Sequence, residues 1–332
     1  MPAALQRAWL QRGLAARLLW PLSQLYRGAA ALHRAAYRLG ILRTERLPVP
    51  VIVVGNVVAG GAGKTPVVLA LLEHLRSRGW RAGVIARGYG RRTTDCREVL
   101  PDSPPQDVGD EPLLVRRRAV VPVFVAPRRA DAGRALLAAY PDTQVLVSDD
   151  GLQHHALLRD AEVCVFDGRG TGNGWLLPAG PLREAWPRRV DLVLAHGSPP
   201  GIAGLAIERR LAGEAVQADG SRCALDALRG QPLAAVAAIA NPEAFFTMLR
   251  DRGLQLAQTI PLPDHAPLDG ALPLGDPARA IVCTEKDAAK LWRRYPQAWS
   301  VPLETWVEPT AWAALDARIE AQLSSVHGPQ AA

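Results

Sequence analysis

Cysteine is scarce and scattered in this chain of 332 residues. The four cysteines, Cys96, Cys164, Cys223 and Cys283, form no CxxC pair and no Cys/His spacing suited to zinc, so neither a zinc site nor a redox motif is built on them. Cys164 and Cys283 lie inside apolar runs (AEVCVF and AIVCT), where cysteine behaves as a small hydrophobe. A membrane-spanning run is also missing from the N-terminal segment: its longest uncharged stretch, Leu18 to Tyr26, is far short of the roughly 20 residues needed to cross a bilayer. That segment has its charges spread along it and no cleavage site behind it, which excludes a signal peptide. Acid is absent from residues 1–44, which carry Arg7, Arg12, Arg17, Arg27, Arg34, Arg38 and Arg43. These account for the whole net charge of +7, because the 32 basic residues that remain match the 32 acidic ones. An anionic partner is therefore expected for this segment and not for the chain as a whole. No internal repeat is visible, and a chain that is 48% apolar and 21% charged is globular, not disordered.

Between the N-terminal arginines lie Trp9, Leu10, Leu14, Leu18, Leu19, Trp20, Leu22, Leu25, Leu32 and Leu39. Such a basic amphipathic pattern predicts a helix lying in a membrane interface, with leucines and aromatics immersed and arginines on phospholipid head groups. An ordinary helix packed on the domain is the competing reading, and one helix can do both. Interleaving of arginine with leucine and tryptophan suits lipid better than nucleic acid, so no nucleic-acid partner is expected.

From Val49 onward, short apolar runs alternate with helical stretches, the pattern of a mostly parallel sheet covered by helices on both faces. Strands are expected at Val51 to Val54, Ala82 to Ala86, Val121 to Ala126, Gln144 to Ser148, Glu162 to Phe166 and Asp191 to Ala195, each nearly continuous in apolar residues as double-sided burial requires. A Gly/Pro-rich stretch follows, and a second α/β series begins with LAAVAAIAN and ARAIVCTEKD, separated by a helix in NPEAFFTMLRDRG. The expected organisation is an N-terminal helical segment (1–45), a P-loop NTPase-like domain (46–225) and a smaller α/β domain (226–332).

The strongest local signal is VIVVGNVVAGGAGKTPVVLALLEHLRSRG, an apolar strand running through a glycine-rich turn into a helix whose Val68, Leu71, Leu72 and Leu75 share one face. Backbone N–H groups in such a turn point at phosphate oxygens at the positive end of the helix. Gly60, Gly61, Ala62, Gly63, Lys64 and Thr65 are the expected phosphate cradle, with Lys64 on the β- and γ-phosphates and the Thr65 hydroxyl on Mg²⁺. The usual GxxxxGK[ST] pattern places glycine at position 58, where this chain has Val58. QVLVSDDGLQHH supplies the second nucleotide feature, with Asp149 and Asp150 leaving a strand where ligands bind in open α/β sheets. The string Thr284-Glu285-Lys286-Asp287 fails the guanine-reading NKxD pattern, so ATP is expected over GTP.

Phosphoryl transfer to an alcohol needs a base near the acceptor and cations near the leaving phosphates. Candidate acids are Asp110, Glu111 and Glu184; candidate cations are Arg87, Arg128, Arg129 and Arg183; His265 lies in a Pro-rich loop of the second α/β series. In their order along the chain, GNVVAGGAGKTP, ARGYGR, VGDEP, APRR, SDDGLQHH, LLPAGPLRE, PDH and CTEKDAAK closely resemble the tetraacyldisaccharide 4'-kinase family, from about residue 10 to about residue 295. The chain departs from the family after the DH element, where Ala266 and Pro267 stand in place of the frequent polar or aromatic residue.

The resemblance implies transfer of the ATP γ-phosphoryl group to the 4'-hydroxyl of a tetraacyldisaccharide 1-phosphate, at the cytoplasmic face of a Gram-negative inner membrane. It implies Asp110 as catalytic base with His265 beside it, Asp149, Asp150 and Gln153 serving Mg²⁺ and the phosphates, and Glu111, Arg129, His154 and Glu184 near the acceptor. No obligate protein partner is expected. The rival reading is a membrane-bound ATPase of the positioning or partition type; those carry a second lysine ahead of the glycines, where this chain has Ala59.

Overall fold

The computed structural model describes residues 9–61, 63–264, 266–268, 270–276 and 278–326. Helix α1 (Leu14–Arg38) comes first and lies on a loop, not on a sheet. Just ahead of it, buried Trp9 donates from Nε1 to the Pro178 carbonyl at 2.9 Å. Within the helix, Ser23 Oγ donates to the Leu176 carbonyl (2.8 Å) and accepts from the Ala179 N–H (3.0 Å), and the Tyr26 hydroxyl donates to the Arg183 carbonyl (2.8 Å). The opposite side is open: Leu18, Leu25, Leu32 and Leu39, spaced by sevens, are 81%, 70%, 73% and 75% exposed. Among the described residues no helix is long and apolar enough to cross a membrane.

The first α/β series follows as β1 (Val51–Gly55), α2 (Lys64–Ser77), β2 (Ala82–Ala86), β3 (Arg97–Glu98), α3 (Pro105–Val108), α4 (Asp110–Ala119), β4 (Val123–Val125), α5 (Arg129–Ala139), β5 (Val145–Asp149), β6 (Ala161–Phe166), β7 (Leu192–His196) and β8 (Leu205–Leu211). A second series contains β9 (Glu214–Val216), β10 (Arg222–Ala224), β11 (Leu233–Ala237), α6 (Pro242–Asp251), β12 (Leu256–Pro261), β13 (Ala280–Thr284), α7 (Glu285–Leu291) and β14 (Trp299–Val301). β15 (Leu303–Val307) and α8 (Pro309–Val326) end the described chain.

The larger sheet has nine strands in the order β15-β8-β7-β6-β1-β5-β2-β4-β3. Its inner strands are parallel, and only the edge pairs β15/β8 and β3/β4 are antiparallel. Helices cover both faces, as the apolar runs predict. On one, Val67, Leu71 and Leu75 of α2, Leu113 of α4 and Leu315 and Ile319 of α8 pack on Ile52, Val54 and Val147; on the other, Ala132 and Leu136 of α5 pack with Val51, Val53 and Leu146. The second sheet has six strands in the order β10-β9-β14-β13-β11-β12.

Sheet membership divides the chain differently from the expected break after residue 225. β9 and β10 already belong to the second sheet, while β15 and α8 return to the first, so the smaller unit is an insertion between β8 and β15. The two crossings lie side by side, with the Ala212 N–H donating to the Pro302 carbonyl at 2.9 Å. Sequence reading missed this because β8 (LAIERRL) and β15 (LETWV) form a half-exposed antiparallel edge, without the continuous apolar run of a central strand.

Candidate functional site

β1 runs into the glycine-rich loop, and β5, its parallel neighbour, ends at Asp149. Because the connection from β1 runs to β2 on one side and that from its neighbour β6 runs to β7 on the other, the carboxyl ends of β1 and β6 form the switch point where α/β sheets open a crevice. Val58 takes the place of a glycine without strain. It is buried and bridges Leu182 in extended pairing, flanked by Ala59 N–H to Pro181 O and Arg183 N–H to Val57 O, both 2.7 Å. The turn itself is made by Gly60 (φ +99°) and Gly63 (φ +74°). Gly63 caps α2, so Lys64 and Thr65 open the helix. Ala62, expected in the cradle, lies outside the described residues.

The Lys64 ammonium is held between Asp150 Oδ1 and Asn56 Oδ1, each at 3.3 Å. Arg183 reaches the same carboxylate at 3.1 and 3.2 Å. Burial opposes ionisation of Asp150, but Lys64 and Arg183 prevail and hold it below the usual carboxylate range. Asp149 behaves in the opposite way. Burial, reinforced by the charge of Glu111, pushes its pKa up to about 7 against the pull of Lys64 and Arg129. Its Oδ1 is buried with no hydrogen-bond partner.

An orphaned buried carboxylate oxygen at the end of the strand paired with β1, close enough to Lys64 to feel its charge, fits Mg²⁺, either directly or through its water shell. Among the described residues no three His, Cys, Asp or Glu side chains gather into a metal cage. Magnesium in nucleotide sites takes most of its oxygens from phosphates and water, so one or two protein oxygens suffice. Gln153, expected at the metal, is engaged elsewhere: its amide donates to the Asn56 carbonyl (3.0 Å) and to Glu184 Oε1 (2.7 Å).

The residues expected near the acceptor fall into two groups. Arg129 is buried, and its guanidinium donates to the carbonyls of Asp149 (3.1 Å) and Asp150 (2.6 Å). It fixes the turn that carries both acids, so a direct grip on an acceptor is not its geometry here. Glu184 is likewise buried, bonded to Gln153 and flanked by Arg188 at 3.4 Å and by Arg34 of α1 at 3.7 Å. His154 is kept neutral: burial and the neighbouring Arg129 and Arg159 push its pKa down to about 4. Of the remaining candidate cations, Arg128 pairs with Glu45.

Asp110 and Glu111 open α4, with Gly109 (φ +93°) ahead of them packed against Gly88 and Tyr89 of the ARGYG loop. The acids meet two lysines that sequence reading did not assign. Lys290 Nζ lies 2.6 Å from Asp110 Oδ2, both side chains nearly buried, and Lys286 Nζ lies 3.4 Å from Glu111 Oε1. The lysines sit four apart on α7 of the inserted unit and so share one face. Each also holds a neighbour of position 265: Lys286 pairs with Asp264 at 3.3 Å, and Lys290 donates to the Ala266 carbonyl at 3.2 Å. His265 itself lies outside the described residues. Asp287 is consumed structurally, accepting from the Thr284 hydroxyl (2.6 Å) and the Ala238 N–H (2.9 Å), which accounts for the TEKD string without a nucleobase. A cavity of about 200 Å³ lies between the two sheets, lined by Lys64, Thr65, Glu111, Asn241, Asp264 and Lys286.

Residues 15–320 match the family model described as tetraacyldisaccharide-1-P 4'-kinase. This chain belongs to that family. Named tetraacyldisaccharide 4'-kinases similar to it include one from Acidovorax sp. (strain JS42), 59% identical with 97% of this chain and 96% of the relative covered. Another, from Polaromonas sp. (strain JS666 / ATCC BAA-500), is 55% identical, with 98% and 100% covered. A solved relative, the "apo" form LpxK from Aquifex aeolicus in complex with ATP, superposes with a TM-score of 0.78 at 26% identity, covering 92% of this chain and 99% of that one.

Proposed function

We propose that this chain transfers the γ-phosphoryl group of ATP to the 4'-hydroxyl of a tetraacyldisaccharide 1-phosphate, a step of lipid A assembly. The observation that carries this reading is the shared cleft: the phosphate-binding residues Lys64 and Thr65 and the GDEP acid Glu111 line one cavity, with Asp110 beside it on the first turn of α4. Asp110 accepts the proton of the 4'-hydroxyl as its oxygen attacks the γ-phosphorus, and the bond to the β–γ bridging oxygen breaks to release ADP. Lys64 and the N-terminus of α2 stabilise the charge on the β- and γ-phosphates. Mg²⁺, held through Thr65 and Asp149 or their water, would neutralise phosphate charge when bound. In this reading His265 assists Asp110 from the inserted unit. Closing that unit over the cleft would exclude water and favour the sugar over hydrolysis.

The heptad of exposed leucines on α1, with Arg17, Arg27 and Arg38 also exposed, supports docking in a phospholipid interface at the cytoplasmic face of the inner membrane. The other side of the same helix is bonded to the 176–183 loop that runs along the phosphate loop, so packing on the domain leaves the leucine face available for lipid in this reading.

The test is transfer of label from γ-labelled ATP to tetraacyldisaccharide 1-phosphate in detergent micelles with Mg²⁺, comparing the wild type with Asp110→Ala. Label is expected in the lipid with the wild type and not with the variant. Label released only as inorganic phosphate, whether or not lipid is present, would make this chain an ATPase and refute the reading.

A further inference from the structure

Two arginines press against the phosphate loop from strands that no nucleotide motif includes. Arg169 follows β6, and Asp167 fixes its guanidinium through bonds of 2.7 to 3.1 Å. Its Nη2 donates to the Gly61 carbonyl at 3.3 Å. Arg209 comes from β8, beyond the last residue of that strand paired with β7, where the only ladder partner is Thr305 of β15. At that point β8 extends past the carboxyl end of β7 toward the loop. The Arg209 guanidinium then rests on Gly63: a Cβ built on that glycine would lie 1.5 Å from Nη2 and 2.4 Å from Cζ. Position 63 is thus glycine for two reasons, its φ of +74° and the arginine covering it.

What holds Arg209 differs from what holds Arg169. Arg169 is bonded to the Asp167 carboxylate, while Arg209 Nε donates to His196 Nε2 at 2.8 Å and its charge also feels Asp167. Burial and the arginine itself push the His196 pKa down to about 3, so the imidazole accepts this bond as a neutral group. Arg209 also lines both cavities that meet at the loop. One is the cleft of Lys64 and Thr65; the other, of about 810 Å³, is lined by Gly60, Gly61, Asp167, Arg169 and His196 and is large enough for a nucleoside. Lys64 already shares its charge with Asp150, so a triphosphate arriving on this loop needs further cations.

We propose that Arg209 is a phosphate ligand of the bound nucleoside triphosphate, supplied in cis from β8 and aimed by His196 across the Gly63 turn. Planar guanidinium donors recognise phosphate oxygens in pairs, which a lysine does not reproduce. Arg169 is the companion that fixes the loop carbonyl. The proposal rests on the kinase reading and adds a residue that the glycine-loop pattern does not contain.

Calorimetric titration of the full chain with MgATP, together with the KM for ATP and for the lipid acceptor, tests it. Arg209→Met is expected to weaken ATP binding about ten- to hundredfold. It should raise the KM for ATP and leave that for the acceptor within twofold. Arg209→Lys should recover only part of the loss. His196→Leu should reproduce much of it, and His196→Gln, which keeps an acceptor, should recover most of it. Thermal unfolding of each variant reports folding separately, and Arg209→Lys carries the test if Arg209→Met does not fold. Unchanged ATP affinity in a folded variant overturns the proposal. So does tighter binding, which would make Arg209 an occupant that ATP must displace. A wild type that fails to bind ATP sinks the kinase reading itself, a result distinct from either.

Discussion

The Lys290–Asp110 contact at 2.6 Å joins the residue proposed as base to a helix of the other unit, and both side chains are nearly out of solvent. Removing one member of such a pair leaves an uncompensated charge and typically costs about 3–5 kcal/mol. Lys290→Met should therefore lower unfolding free energy by that order and reduce kcat more than tenfold, because Asp110 loses the group that orients it. The double variant Asp110→Asn with Lys290→Met should recover most of the stability, and strict additivity in a denaturant cycle would show that the pair is not coupled. His196 makes a prediction about acid. Its folded pKa of about 3 lies below the usual histidine value of about 6.5, so the unfolded chain takes the proton first. Its contribution to stability is complete above about pH 6.5 and is lost as the pH falls toward 3. Urea unfolding at pH 7 and pH 5 should show this loss, and His196→Gln should show a smaller one. Asp110, Lys64, Asp149 and Asp150 stand out as candidates in the sequence because short strings carry them; the contacts of Lys286 and Lys290 do not, because they are made with acids 175 and 180 positions away.

Helix α1 has two faces with different chemistry, and each can be altered alone. Exchanging Leu18, Leu25 and Leu32 for glutamine changes only exposed side chains, so the melting temperature should stay within about 2 °C on typical surface-mutation energies. Each leucine buried in an interface contributes roughly 1.5–3 kcal/mol, so the triple variant should lose at least tenfold in co-sedimentation with anionic vesicles. Unchanged partitioning would mean that the leucine face does not meet lipid. The central strands β1, β2, β5, β6 and β7 were readable because double-sided burial writes continuous apolar runs. The edge pair β8 and β15 was hidden by its exposed charged and polar residues, and with it went the position of Arg209.

At the scale of the molecule, two adjacent crossings join the sheets, Ala212–Gly213 on one side and Pro302 on the other. A closure of the inserted unit over Lys64 and Thr65 should bend the chain there. Small-angle scattering with an ATP analogue and the disaccharide substrate together should show a smaller radius of gyration than with neither. An unchanged curve under saturating ligands would remove closure from the mechanism.

The return of β15 and α8 to the first sheet also sets an order of assembly during synthesis. Trp312, Leu315 and Ile319 complete the same core as Leu71 of α2 and Leu113 of α4, yet they are translated after the whole inserted unit. Until they emerge, the larger sheet has one face partly open and β8 unpaired on its outer edge. The basic helix α1, by contrast, leaves the ribosome before either sheet. If α1 docks on an anionic surface as proposed, a nascent chain can settle there before its nucleotide domain is closed.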